Sequence, residues 1–287
     1  MQDALPDIDA STLATLARMG LALLGLAAAL LWERARPFRG APPGRLRHDV
    51  SNLSLWLSNA LFIQLVFGAA AVGTALLAQR SGLGLLHQTA LPLPVELALT
   101  LLVLDLATYS LHRLYHVAPV LWRVHLVHHS DADLDATTAV RFHPLEIGVS
   151  TCVRLGVVFA LGATPLGVIV YEALLLLASQ LQHANVCLTA RIDRMLRSLV
   201  ITPNMHRIHH SVRRSELDSN YGTVLSCWDR IFRSYRSRPD IEQIRVGLPG
   251  FDAESPTLLG LLAMPFVSLP VAAADSDLAL SARSRDA

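Results

Sequence analysis

Long apolar stretches recur along the chain and predict helices that cross a membrane. A helix needs roughly twenty apolar residues to span a bilayer. Three stretches reach that length, and they run over Leu13–Trp32, Leu55–Leu77 and Leu93–Leu111. We therefore expect three transmembrane helices in the N-terminal part of the chain.

A fourth apolar stretch, Ile147–Leu181, is longer and is interrupted near Gly162–Pro165. Gly and Pro disfavour the interior of a helix, so this pattern predicts a helical hairpin that enters the membrane and returns. A last stretch, Leu258–Val271, is short and contains Pro265, which indicates an interfacial segment or one packed on the bundle. The predicted fold is all-α, an integral membrane bundle of three transmembrane helices and a hairpin.

The composition agrees with a membrane protein. Hydrophobic residues make up 52% of the chain and charged residues 16%, which is more apolar than a soluble domain. The formal net charge of +1 gives no reason to expect nucleic-acid binding. All 24 basic residues are Arg, which indicates a GC-rich, bacterial genome. The three cysteines lack a C-x2-C spacing, so they indicate neither a disulfide framework nor a thiolate metal site.

The charges of the loops predict how the bundle is oriented. Residues 33–48 contain five Arg, so this loop should face the cytoplasm, whereas residues 80–92 contain one and should face the other side. The first ten residues carry three Asp and no basic residue, which favours an external N-terminus over a signal peptide. The third helix and both ends of the hairpin then terminate at the cytoplasmic side of an inner membrane.

Ten of the twelve histidines lie between His112 and His210, and eight of these form three clusters. The clusters are H-x3-H at His112 and His116, and H-x2-H-H at His125, His128 and His129 and again at His206, His209 and His210. Residues three or four apart share a face of a helix, so each cluster can direct its imidazoles at one point. Neutral imidazole is a common metal ligand, and this number of ligands suits a two-metal centre rather than one zinc.

Other polar residues are expected near the clusters. Asp105 starts a stripe through Tyr109, His112 and His116, so it could hydrogen-bond a ligating imidazole or an Arg of another helix. His183, at the exit of the hairpin, is on the predicted cytoplasmic side and is a ligand candidate. For two further residues the sequence leaves the role open, between ligand and partner of a ligand: His143 and Glu146. His48 and His87 fall outside the predicted set.

The clusters, together with five further motifs, resemble the fatty acid hydroxylase superfamily, also called the sterol desaturase family. The motifs are Arg141-Phe-His-Pro-Leu-Glu146, Gln182-His-Ala-Asn185, Asn204-Met-His-Arg-Ile-His-His-Ser211, Asn220-Tyr-Gly222 and Trp228-Asp-Arg-Ile-Phe232. The similarity covers about residues 105–236. Two positions depart from the pattern, since Ser179 stands where an earlier His occurs in some members and Asp135 where Asn is expected.

The resemblance implies a membrane-bound non-haem di-iron oxygenase that uses O2 and two reducing equivalents to hydroxylate or desaturate a lipid. It implies as iron ligands His112, His116, His125, His128, His129, His183, His206, His209 and His210, with His143 conditional. Around them we expect Asp105, Tyr109, Glu146, Asn185 and Asn204, and no catalytic residue beyond the ligands. Zinc is a possible replacement for iron in purified samples.

The partners follow from what the chain contains and lacks. It has neither a G-x-G-x-x-G fingerprint nor a haem C-x-x-C-H motif, so a separate ferredoxin- or cytochrome-type donor should supply the electrons. The lipid chain should occupy a cavity between the third helix and the hairpin, lined by residues such as Leu104, Val153, Leu174 and Leu177. Sterol, carotenoid, ornithine lipid, alkylglycerol and fatty acyl substrates all remain open.

The sequence also predicts a division of the chain into three parts. N-terminal transmembrane helices occupy residues 1–92, the catalytic domain with its cytoplasmic histidine-rich helical cap residues 93–245, and an apolar segment with a polar tail residues 246–287. Two other functions fit the histidines less well, a membrane zinc-dependent hydrolase and a metal-binding or transport protein. A transporter should carry its polar groups near mid-membrane, whereas here they gather at one edge.

Overall fold

The structure, a computed structural model, describes residues 10–41, 44–68, 70–251 and 257–267, with the backbone alone for residues 10–19. In these ranges the regular elements are helices, joined in places by isolated β-bridges. The α-helices are α1 Ala10–Ala35, α2 Arg45–Val66, α3 Ala70–Ser81, α4 Leu93–Val117, α5 Pro119–His129, α6 Pro144–Leu161, α7 Pro165–His183, α8 Ala190–Leu196, α9 Pro203–His209, α10 Arg214–Leu217, α11 Cys227–Ile231 and α12 Leu258–Ala263. The predicted all-α class is confirmed.

Four segments of the described chain are long and apolar enough to cross a membrane. They are residues 45–88, Leu93–Val117, Pro144–Leu161 and Pro165–His183. The first predicted span, Leu13–Trp32, lies inside α1. The second prediction, one helix over Leu55–Leu77, is wrong in detail. Helix α2 ends at Val66, and a separate helix, α3, begins at Ala70. Gly68 adopts a positive φ of 52° at this break, a conformation that ends a helix readily.

Proline and threonine fix the positions at which several helices after α4 begin. Four of these helices have proline as their first residue, where its missing N–H costs no helical hydrogen bond: Pro119, Pro144, Pro165 and Pro203. The Thr164 hydroxyl accepts from the amide of Gly167, and the Thr202 hydroxyl accepts from the amide of Met205. These starts determine which face of α5, α7 and α9 each histidine occupies.

The predicted hairpin is formed by α6 and α7, and glycines allow its tip to be tight. Gly162 has φ 70° and ends α6. Gly84, with φ 110°, lies so close that a Cβ on it would come within 2.4 Å of the Gly162 Cα. His87 also contacts this tip. His87 therefore lies at the end of the bundle opposite the start of α6 and the end of α7. This position agrees with the prediction that His87 is not among the clustered histidines.

The opposite end of the bundle carries a cap made of α5 and α8 to α11. The arginine-rich segment between α1 and α2 is part of this end, since Pro37 forms a β-bridge with Val186 and the Phe38 amide donates to the Asn185 carbonyl. The C-terminal apolar segment also packs at this end. Of the two predicted placements, interfacial or packed on the bundle, it adopts the second. Leu261 and Met264 share a buried cluster with Leu55, Leu126 and Val127; residues 268–271 of this predicted segment lie outside the described residues.

Candidate metal centre

Nine histidines from α4, α5, α7 and α9 form two adjacent groups at the cap end of the bundle. The first group contains His112, His116, His125, His129 and His209, with one nitrogen of each within 4.8 Å of the others. The second contains His128, His183, His206 and His210, which meet the same distance. The groups touch, because the rings of His129 and His210 stack with centroids 4.4 Å apart.

The H-x2-H-H motif divides its own histidines between the two groups. In α5, His125 and His129 are four residues apart and face the first group, while His128 faces the second. The motif at the end of α9 divides its histidines the other way round. His206 and His210 face the second group, and His209 faces the first. Residues four apart share a helix face, whereas the histidine one position before the last points elsewhere. Two such motifs therefore complete two sites from opposite sides.

Nitrogen spacings inside the groups match those of ligands on a common ion. The Nε2 atoms of His125 and His129 are 3.1 Å apart, and those of His206 and His183 are 2.8 Å apart. Metal–nitrogen bonds of about 2.1 Å place neighbouring ligand nitrogens roughly 3 Å apart. Inside the first group, the buried Nε2 atoms of His112, His116 and His209 also find no hydrogen-bond partner among the described residues. The two groups thus fit metal ions as their missing partners.

Hydrogen bonds from the second ring nitrogen fix the orientation of several imidazoles. His112 Nδ1 donates to the Tyr221 carbonyl at 2.8 Å, and His209 Nδ1 donates to the Ser219 carbonyl at 2.7 Å. Because a carbonyl oxygen only accepts, the proton must lie on Nδ1, and Nε2 keeps its lone pair for a metal. His183 is oriented in the same way by the carbonyl of Ser179, the position that departs from the family pattern.

Glu146 braces the first group. Its Oε1 lies 2.7 Å from His125 Nδ1, and both side chains are buried. A carboxylate behind an imidazole holds the ring in place and makes it a stronger ligand. Of the two roles that the sequence left open for Glu146, the geometry matches the partner of a ligand. Asp218 lies in the corresponding position behind His116, at 3.4 Å from its Nδ1, and sequence reasoning missed it.

Burial keeps the histidines of the cap in their neutral form. Burial and the neighbouring imidazoles lower the pKa of His128, His129, His206 and His210 well below the ordinary value. Burial lowers the pKa of His209 to about 3. Neutral imidazole is the form that binds metal, so the cap offers ligands that need lose no proton at neutral pH.

His143 lies outside both groups. It is the residue at which α6 begins, and its Nδ1 accepts a hydrogen bond from the Leu145 amide. Its Nε2 lies 3.2 Å from the Leu262 carbonyl. Both nitrogens are therefore engaged in local structure, and the geometry gives His143 no place as a metal ligand. The position follows from Pro144, which starts the helix immediately after it.

In the described part of the chain, no hydrogen bond joins four of the predicted surrounding residues to a histidine of either group. The Asp105 carboxylate, expected to meet an imidazole or an Arg, instead accepts from the Leu225 amide and from Trp228 Nε1. The other three bond as follows: Tyr109 to Ser234, Asn185 to the Arg39 backbone, and Asn204 to Arg207 within α9. These bonds hold segments beside the ligand-bearing helices rather than the imidazoles themselves.

A buried polar network behind α5 was not found from the sequence. Asp131 accepts from Thr138 and lies 2.9 Å from His48 Nε2, which explains why His48 is absent from the two groups. Arg141 donates to the Val127 carbonyl at 3.0 Å and to the Ser130 hydroxyl at 2.8 Å. Although burial opposes it, the charge of Arg141 holds the pKa of Asp131 well below its usual range. The network clamps the end of α5 that carries His128 and His129.

The second departure from the family pattern, Asp135, has a structural role. Its side chain accepts from the amide and the hydroxyl of Thr137 and so caps the short 3₁₀ helix Ala136–Val140. With His48 and Asp49 it forms a third set of nitrogen and oxygen atoms within 4.8 Å. Arg45 lies 3.5 Å from the Asp135 carboxylate, so this set belongs to an ion-pair network.

An apolar cavity of about 330 Å³ opens onto the histidines from between α4, α6 and α7. Five histidines of the two groups line it: His112, His125, His128, His183 and His206. Leu104 and Val153 line it as predicted, whereas Leu174 and Leu177 face outward and their neighbours Leu175 and Leu176 take their place. The shape and lining suit a hydrocarbon chain that approaches both groups from the membrane.

Comparison with known proteins supports this interpretation of the site. Residues 97–234 match the model of the family named fatty acid hydroxylase. An ornithine lipid hydroxylase of Rhizobium tropici is 31% identical over 177 residues, which are 61% of this chain and 51% of that protein. The human alkylglycerol monooxygenase is 32% identical over 146 residues, 50% of this chain and 31% of that protein.

The similarity is thus confined to part of each chain. The chain spans about half the length of the first of these relatives and about a third of the second. No solved structure matches the chain. The matched segment contains every histidine of the two groups, and its ends fall in α4 and shortly after α11.

Proposed function

We propose that the protein is a membrane-bound di-iron oxygenase that hydroxylates a C–H bond of a lipid, and the match of residues 97–234 to the fatty acid hydroxylase family supports this proposal. One observation carries the proposal: two adjacent all-histidine groups open onto an apolar cavity between helices long enough to cross a membrane. The names of the relatives, a lipid hydroxylase and a monooxygenase, favour hydroxylation over desaturation.

The proposed ligands are the nine histidines of the two groups, without His143. Iron bound there would supply the redox chemistry by which O2, two electrons and two protons yield a hydroxylated carbon and water. The residues of the chain do the rest. Tyr221, Ser219 and Ser179 carbonyls hold the imidazoles in one tautomer, and Glu146 fixes His125. The cavity between α4 and the hairpin excludes water and directs a lipid chain at the histidines.

We further propose that the site lies on the cytoplasmic side of a bacterial inner membrane. The arginine-rich loop between α1 and α2 lies at the same end of the bundle as the histidines, and such loops favour the cytoplasm. A separate ferredoxin- or cytochrome-type protein would reduce the site there. We also propose that residues 93–245 form the catalytic domain, between the N-terminal helices of residues 1–92 and the C-terminal segment of residues 246–287.

A zinc-dependent hydrolase is the less favoured function. A catalytic zinc site has three protein ligands and a water molecule, whereas these groups offer five and four imidazoles. A hydrolase would also place its scissile bond at the polar surface, whereas the cavity that reaches the histidines is apolar.

The function is tested by metal analysis combined with lipid analysis. Protein purified without chelators and reconstituted with ferrous iron should hold two irons per chain, and it should consume O2 when supplied with electrons. Mass spectrometry of lipids from cells that express the protein should show a lipid increased by one oxygen atom, and removal of iron by a chelator should abolish the increase. Activity with zinc and without O2 uptake would contradict the proposal.

Replacement of Glu146 by Gln should weaken the site without dismantling it. The amide retains the size of the side chain but takes the negative charge away from His125, so we expect a loss of roughly 10- to 100-fold in iron affinity or turnover. Titration of metal-free protein with ferrous iron measures the affinity. Glu216→Gln, at a carboxylate of the cap that binds Ser211 and Arg238, is the matched control and should leave iron binding unchanged.

A further inference from the structure

An ion pair joins the two arms of the hairpin inside the membrane-spanning segments. Arg154 of α6 and Glu172 of α7 approach to 3.3 Å between NH1 and Oε1. Arg154 lies eight residues after Glu146, which places it about 12 Å along the helix from the histidine end. Charged groups at this depth are costly to desolvate and are usually functional.

Both members of this pair line the cavity that reaches the histidines. Glu146, Ser150 and Arg154 occur every fourth residue and so form one polar stripe on the cavity face of α6. The first residue of the stripe is Glu146, which is hydrogen-bonded to His125. Ser150 is hydrogen-bonded to the Tyr115 hydroxyl at 2.9 Å, so its needs are met within the protein. Arg154 ends the stripe deeper in the bundle.

The guanidinium of Arg154 keeps donors to spare. Arg carries five N–H donors, yet among the described residues Arg154 makes a single hydrogen bond, the one to Glu172. Buried Arg141, by contrast, donates to three different partners. Three quarters of the Arg154 side chain is shielded from solvent in an apolar wall, where an unused donor is unfavourable. A ligand oxygen in the cavity would satisfy it.

We propose that Arg154, held in place by Glu172, is a subsite for a hydrogen-bond-accepting oxygen of the lipid, located about 12 Å from the histidine end of the cavity. The oxygen belongs to a neutral group, a hydroxyl, ether, ester or amide, because Glu172 already balances the charge of Arg154 and an anion would add a net charge inside the membrane. The subsite sets which carbon of the chain faces the histidines. The inference rests on the proposed function, because it assumes that the cavity holds the substrate.

Binding of simple alcohols tests the subsite without turnover. Octadecan-1-ol is compared with octadecanediols whose second hydroxyl moves along the chain, by displacement of a fluorescent fatty-chain probe from the iron-loaded full-length protein in nanodiscs. One diol should bind roughly tenfold tighter than the parent alcohol, as expected for one hydrogen bond from a charged donor. The preference should disappear in Arg154→Leu and persist in Val149→Ala, which changes an exposed apolar residue of the same helix.

A double variant guards against a folding defect. Arg154→Leu combined with Glu172→Leu removes both charges, a change that buried ion pairs usually tolerate. This variant should bind octadecan-1-ol as the wild type does and show no preference among the diols. A wild type without a preferred diol, or a preference that survives in the double variant, overturns the subsite. Selective diol binding by a protein that consumes no O2 would instead reject the proposed function and leave the subsite standing.

Discussion

Replacement of His129 by Ala should empty the five-histidine group, and replacement of the adjacent His128 should empty the four-histidine group. The two side chains leave α5 in different directions and belong to different groups. Each variant should therefore retain one iron per chain instead of two. Turnover should fall in both by more than the roughly 100-fold that the loss of a hydrogen-bonded partner of a ligand costs.

Mössbauer spectroscopy of samples enriched in ⁵⁷Fe can separate the two losses. If each group holds its own iron, the two variants should each lack a different component of the wild-type spectrum. His143→Ala is the matched control, because this histidine lies beside the site but both of its nitrogens face local structure. Identical spectra for the two variants, or loss of iron in His143→Ala, would show that the division into two groups is wrong.

The spacing of the histidines already contains most of this arrangement. Positions four apart share a helix face, so H-x2-H-H directs two imidazoles one way and the third another way. What the spacing does not contain is the pairing of α5 with α9. That pairing depends on how the cap folds over α4 and α7, through contacts distant in sequence such as His183 with His206.

Two of the predicted site residues bond elsewhere for local physical reasons. His143 stands in a motif with the right composition, but Pro144 makes it the first residue of a helix and engages its ring there. Asp105 lies on the same stripe of α4 as His112, but the segment with Val224 and Leu225 reaches its carboxylate and offers amide donors. In both cases the side chain accepts a hydrogen bond from a nearby backbone amide that would otherwise lack a partner.

The residues that pack behind α5 and hold it in place were the hardest to predict from the sequence. Asp131 and His48 are separated by 83 positions, and only the packing of α2 against the end of α5 brings them together. Arg141 was part of a recognised motif, yet nothing in the motif says that its side chain is buried. Its 1% exposure makes it the largest fully buried side chain of the described chain.

Replacement of Arg141 by Ala should destabilise the protein by about 3–5 kcal/mol, the cost of breaking a buried charge pair by removal of one partner. The change leaves the Asp131 carboxylate with less compensation of its charge, and it removes the donors that Arg141 supplies to the Val127 carbonyl and the Ser130 hydroxyl. Since these groups belong to α5, the loss should also loosen His128 and His129. Denaturant unfolding of the detergent-solubilised protein measures the free energy.

Two comparisons identify the buried charge as the cause. Arg123→Ala removes an exposed arginine that donates to the carbonyls of Pro265 and Val267, so it should cost about 1 kcal/mol or less. Arg141→Met combined with Asp131→Asn removes both charges, and its cost should be smaller than the sum of the two single changes. Strict additivity would mean that Arg141 acts only through packing, and that the carboxylate behind α5 does not depend on it.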